Sequence, residues 1–153
     1  MNVSISIGGA ITFAIAILGA VLGIINTWRN INKDRVKLKV TPKYVFFNDG
    51  RDNQLSIEII NFSAFSLTII EVGVYYHGST KRAAVIKPYI YDGGSFPRKL
   101  EQRNSFSVYL PIEILKAKNN HKVKCVYVTT ACGKSVKGTS PALKDMIKKM
   151  EQN

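Results

Sequence analysis

The sequence predicts a mainly β protein: a single N-terminal transmembrane helix, an antiparallel immunoglobulin-like β-sandwich and a short C-terminal amphipathic helix. Three observations predict it. The chain opens with an uncharged apolar run from Val3 to Ile25. After Arg35, apolar residues recur with the period of 2 that marks half-buried strands. From Ser140 onward the period becomes helical. The chain thus divides into an anchor (1–28), a basic juxtamembrane linker (29–35), a sandwich (36–139) and a C-terminal helix (140–153).

As a helix, the opening run is about 34 Å long at ~1.5 Å per residue, against a hydrocarbon core of about 30 Å. A secretory signal would need a positive start, an apolar stretch of about 7–15 residues and a small-x-small cleavage site. Met1–Ser6 carries no charged side chain, and Ile24-Ile25-Asn26-Thr27-Trp28 is a poor cleavage site. An uncleaved anchor is therefore expected. Trp28 suits the headgroup level, with an apolar ring and a polar N–H. Arg29, Lys33, Arg35, Lys37, Lys39 and Lys43 follow, opposed only by Asp34. Basic residues close to a span resist translocation, so the C-terminal domain is expected on the cytoplasmic side. Trp28, Arg29, Lys33 and Arg35 form the expected membrane interface. Gly9, Thr12, Ala16, Gly19 and Gly23 share one helix face, with Gly19 and Gly23 making a GxxxG. Small residues let two helix backbones approach closely in lipid, which predicts pairing through this face with a second copy or with another protein's span.

Alternation predicts the strands. Val36, Leu38 and Val40 alternate with Lys37, Lys39 and Thr41; Leu55, Ile57 and Ile59 with Ser56 and Glu58; Phe106, Val108 and Leu110 with Ser105, Ser107 and Tyr109. Leu67–Tyr76 is longer and more continuously apolar, as a central strand would be, and Val123–Thr130 is another strand. Tyr44–Phe47 and Lys134–Lys137 are shorter candidates. Asn48-Asp49-Gly50, His77-Gly78-Ser79, Asp92-Gly93-Gly94-Ser95 and Cys132-Gly133 supply turn chemistry between them. About seven short strands so spaced predict two packed antiparallel sheets of immunoglobulin type. Asn61–Ser66 reads as a loop that plugs the core between them.

At the C-terminus, Ser140 caps and Pro141 suits the first helical position. Leu143, Met146, Ile147 and Met150 share a face expected to pack on the sandwich, with Lys144, Lys148 and Lys149 opposite; the alternative lays this basic amphipathic helix on anionic lipid. The chain holds 22 basic and 10 acidic residues, a formal charge of +12. That excess predicts attraction to an anionic partner. For an anchored protein the nearest is membrane lipid, at ~1 kcal/mol per basic residue close to the surface. Nucleic acid is the weaker alternative.

Catalytic and metal chemistry finds little footing, which predicts a non-enzyme without cofactors or metal. Gly133-Lys134-Ser135 repeats the end of a phosphate-binding loop. Val128 stands where that loop needs its first glycine, and a strand is expected where it needs a helix. His77 and His121 lie in turns beside basic residues, with no Cys or carboxylate at ligand spacing. Cys125, on the strand face shared by Val123 and Tyr127, is expected in the core, and Cys132 in a turn. A tight fold-back of the strand pair would allow a Cys125–Cys132 disulfide, whereas a cytoplasmic domain would keep both reduced.

One segment stands out as a partner-binding surface. Lys87-Pro88-Tyr89-Ile90-Tyr91 through Phe96-Pro97-Arg98-Lys99 interleaves aromatic and basic residues between prolines. Aromatic residues and Arg anchor interfaces. Tyr89, Tyr91 and Phe96 are the expected anchors, with Lys87, Arg98 and Lys99 as the polar rim. The bland alternative is an edge strand at Tyr89–Tyr91, with Phe96 tucked into the core.

The stretch Leu55-Ser56-Ile57-Glu58-Ile59-Ile60-Asn61-Phe62-Ser63-Ala64-Phe65-Ser66-Leu67-Thr68-Ile69-Ile70-Glu71-Val72-Gly73 resembles a motif in small bacterial and prophage proteins that carry one N-terminal span before a β-sandwich. The layout is similar to that of temperate-phage superinfection-exclusion proteins. The resemblance implies a single-pass protein of the bacterial inner membrane that acts on another membrane-associated protein. It brings no catalytic residues with it.

Overall fold

A computed structural model describes residues 7–46, 54–78, 82–86, 88–115 and 122–151. The chain falls into two units, Met1–Arg35 and Val36–Asn153. The first is helix α1, Ile7–Lys33, long and apolar enough to cross a membrane. Its 27 residues give about 40 Å of helix. The helix continues through Trp28 and Arg29 to Lys33, so the basic segment is helical for most of its length.

The second unit is strand-rich. Its elements are β1 (Leu38–Val45), β2 (Gln54–Asn61), β3 (Leu67–Tyr76), β4 (Arg82–Ala84), β5 (Tyr89–Ile90), β6 (Arg98–Leu100), β7 (Ser105–Pro111), a 3-10 turn (Ile112–Leu115), β8 (Val123–Thr130), β9 (Ser135–Gly138) and helix α2 (Pro141–Glu151). One antiparallel sheet runs β1-β2-β7-β5. The other runs β4-β3-β8-β9, and β6 also pairs with β3. The Tyr44–Phe47 candidate joins the first strand, as far as Val45. Lys134–Lys137 becomes β9, so a strand does follow the Gly-Lys-Ser turn. The short strands β4 and β6 have too few residues for alternation to reveal them.

The inward residues of both sheets form one core. Leu55, Ile57, Ile59, Val108 and Leu110 from the first sheet pack with Ile69, Val72, Val74, Val126 and Val128 from the second. Leu143 and Met146 of α2 complete it, so this helix packs on the sandwich as its pattern predicts. The Ser140 hydroxyl accepts from the Leu143 amide at 3.1 Å and caps α2.

Two β-bulges set which residues face out. Between β3 and β8 the register shifts at Ile69/Glu71 and again at Tyr75/Tyr76. At the second shift Lys124 is the extra residue. Val123 therefore points into the core, while Cys125 and Tyr127 turn to the outer face beside Tyr75 and Gly73. Cys125 is buried, but against that outer layer and not in the core where strict alternation puts it. Tyr127 lies across Gly73, where an added Cβ would meet its Cε1 and OH at 2.9 Å. The Tyr127 hydroxyl donates to Glu71, Glu71 pairs with Arg82 at 3.3 Å, and Arg82 stacks over the Tyr127 ring at 5.3 Å. Burial first, and then the Glu71 carboxylate, raise the Tyr127 phenol well above its ordinary pKa.

The Asn61–Ser66 loop plugs the structure with polar groups. Asn61 and Ser63 are buried, whereas Phe62 is exposed. The Asn61 side-chain amide donates to the carbonyls of Phe65 (2.8 Å), Leu100 (3.1 Å) and Glu101 (3.2 Å), and its oxygen accepts from Ser63 N–H at 2.9 Å. The Ser63 hydroxyl accepts from Lys37 N–H at 2.8 Å.

Candidate interaction surfaces

The aromatic-basic segment occupies one edge of the sandwich. β5 is the last strand of its sheet, held to β7 by the pairs Tyr89↔Tyr109 and Ile90↔Val108. Pro88 precedes it and has no N–H to offer, as tolerated at an edge. Ile90 turns inward and is buried. Alternation then sends Tyr89 and Tyr91 outward, 46% and 79% exposed. The Tyr89 ring rests on Tyr109, with centroids 5.9 Å apart. Ile86, just upstream, is 90% exposed. Sequence reading passed over Ile86, although its place between Val85 and Lys87 in a turn-bounded stretch was the available signal.

After Tyr91 the chain crosses to the other sheet, where β6 pairs with β3. An Asx turn makes the crossing. Asp92 Oδ1 accepts from Gly94 N–H at 3.2 Å and from Arg98 Nη1 at 2.7 Å, and its Oδ2 pairs with Arg98 Nη2. The two-pronged guanidinium, helped by the Gly94 amide, lowers the Asp92 carboxyl to about 2. Arg98 also lies over the Phe106 ring at 4.8 Å. Phe96 is half-buried and packs on the core, 6.4 Å from Phe106 between centroids. Lys99 is exposed and pairs with Glu101 at 2.8 Å.

The predicted partner residues thus separate. Tyr89 and Tyr91 are presented on the outer side of the β5 edge, and Ile86 is exposed upstream of them. Phe96 and Arg98 hold the crossing in place, and Lys99 lies beyond it on β6. Lys87 lies outside the described residues.

The predicted helix-packing residues Gly9, Thr12, Ala16, Gly19 and Gly23 are all exposed on α1. The Thr12 hydroxyl donates to the Gly8 carbonyl at 2.9 Å, within its own helix. A Cβ at Gly19 or Gly23 would meet nothing within 4 Å, so nothing among the described residues requires glycine there. A shallow depression on α1 is lined by Ala20, Gly23, Ile24, Thr27, Trp28 and Ile31. Only Gly23 is common to that depression and the predicted face. Trp28, Arg29, Lys33 and Arg35 are likewise exposed.

Cys132 sits exposed in the β8–β9 turn, where the Thr130 hydroxyl approaches its sulfur at 3.1 Å. That contact and the Lys134 backbone lower its pKa. Among the described residues, no three His, Cys, Asp or Glu side chains gather where they could hold a metal. The chain matches no protein-family model and no curated protein.

Proposed function

We propose that this chain is a membrane-anchored protein-interaction module that uses the β5 edge of its sandwich to hold another membrane-associated protein. The observation that carries the reading is the exposure of Tyr89 and Tyr91, on one side of the β5 edge, beside a braced turn. Large apolar groups clustered on a surface mark interaction sites. The Tyr89 ring rests on Tyr109, and a ring held in place before binding loses little entropy on docking. The likeness in layout to superinfection-exclusion proteins supports an accessory role of that kind in the bacterial inner membrane, while the basic residues after α1 favour the sandwich on the cytoplasmic side. The charge of +12 favours a second reading, an adaptor for anionic lipid or nucleic acid. Salt separates the two, because charge-driven binding falls steeply with ionic strength and an aromatic-anchored interface does not.

The test is the double substitution Tyr89→Ala and Tyr91→Ala. Both side chains are at least partly in solvent, so the melting temperature should stay within a few degrees of the parent. Each anchor lost should cost ~2 kcal/mol of binding, about thirtyfold, in co-purification from membranes. Partner recovery at the parental level, or a collapse in abundance, would show that these rings serve the fold and not a partner.

A further inference from the structure

The opposite edge of the same sheet carries a cavity of about 440 Å³ between the end of β1 and helix α2. That volume lies within the range of about 300–1,000 Å³ typical of small-molecule sites. Its walls are Tyr44 and Phe46 on one side and Ala142, Met146 and Met150 on the other, with Asp145 and Lys149 also lining it. The spacing explains the arrangement. Ala142, Met146 and Met150 stand four residues apart and form one apolar stripe along α2, and Asp145 and Lys149 form the polar stripe beside it. Phe46 is 72% exposed and meets Tyr44 edge-on at 4.3 Å, leaving a large ring face in water beside the cavity. Methionine adapts its shape to irregular apolar ligands.

We propose that this cavity binds one long-chain fatty acid, with the hydrocarbon between the Tyr44–Phe46 wall and the methionine stripe and the carboxylate at Lys149. Three features select that occupant. The walls offer apolar surface along their length and charge only on the Asp145–Lys149 stripe. Lys144, Lys148 and Lys149 stand exposed on α2 and outnumber its two acids, Asp145 and Glu151, favouring an anionic head. The membrane-spanning helix keeps the domain at a bilayer, the phase into which fatty acids partition. A volume of about 440 Å³ suits one hydrocarbon chain, so a two-chain phospholipid is the poorer fit. The site is independent of the Tyr89–Tyr91 surface, and each can fail without the other.

The test uses the full chain in phosphatidylcholine nanodiscs. The probe is palmitic acid carrying a photoreactive diazirine near its methyl end, with crosslinks located by peptide mass spectrometry. Labels are expected on Tyr44–Phe46 and on Ala142–Met150, besides those on α1, which serve as the internal standard. Ala142→Trp should fill the cavity and lower its labelling at least tenfold relative to α1. Should that substitution disturb α2, Phe46→Asp decides instead, since the exposed ring contributes little to the fold; it should lower labelling several-fold. Lys149→Glu should weaken labelling by the acid several-fold and leave that by diazirine-hexadecanol unchanged. Label confined to α1, or cavity label that survives both Ala142→Trp and Phe46→Asp, overturns the site. Equal labelling by hexadecanol, or by diazirine-phosphatidylcholine at the same mole fraction, overturns the assignment to a fatty acid.

Discussion

Asn61 does more for this fold than any single apolar residue of the loop around it. Its amide joins the end of β2 to the entry of β3 and to the Leu100–Glu101 carbonyls after β6. Its backbone adds bonds to Asn104 at 3.0 Å and Arg103 at 2.8 Å. A buried polar group left without a partner costs about 1–3 kcal/mol. Asn61→Ala strands several carbonyls at once, so chemical denaturation should show a loss of ~3 kcal/mol or more. A loss below ~1 kcal/mol would mean that water replaces the amide. Asn-Phe-Ser-Ala-Phe-Ser showed that this loop does something in the core. Its phenylalanines are the conspicuous residues, yet the buried work falls to Asn61 and Ser63, because the chain must satisfy backbone groups where strands end. Cys125 and Tyr127 were misplaced for a different reason. One extra residue in a strand reverses the faces beyond it, and nothing in Val123-Lys124-Cys125 announces a bulge.

Among the elements, the long strands were legible, as were β9 and the edge strand β5, whereas the three-residue β4 and β6 were not. Leu67–Tyr76 and Val123–Thr130 have the length and β-branched content that periodicity can detect, and they appear with those boundaries. α2 was equally readable, since Ser140, Pro141 and a four-residue apolar stripe all agree. The two-residue β5 depends instead on tertiary pairing and on the Asp92 turn beyond it. That turn makes a pH prediction. Asp92 titrates lower when folded (about 2) than its ordinary 3.8, so its contribution is present above about pH 3.8 and is lost as pH falls through about 2. Exchange of the Gly94 amide should stay slow from neutral pH down to about 4 and accelerate below 3 beyond the intrinsic rate. Asp92→Ala, which removes both acceptor oxygens, should show the faster exchange at every pH. A Gly94 amide equally protected in that variant would show that the Arg98 clasp does not hold the edge.

For the whole molecule, the apolar run and the change of period after Arg35 made both units readable, whereas the surfaces they present depend on exposure that no sequence pattern states. Tyr89, Tyr91 and Phe96 look alike in sequence, and only their positions on either side of the crossing separate two presented rings from one packed ring. The proposed orientation rests on the basic residues between Arg29 and Lys43, which predict a cytoplasmic sandwich. Cys132 reports it, being exposed and carrying a thiol of lowered pKa that favours the reactive thiolate. A maleimide that cannot cross the inner membrane should leave Cys132 unlabelled in intact spheroplasts and label it after lysis. Labelling before lysis would place the domain outside.

The account stands on α1 as a retained anchor. Its most direct test is the intact mass of the protein recovered from carbonate-washed membranes. The expected product remains in the membrane pellet and retains Ile7–Lys33. A soluble product lacking its first ~25 residues would show a cleaved signal segment and contradict a tethered module.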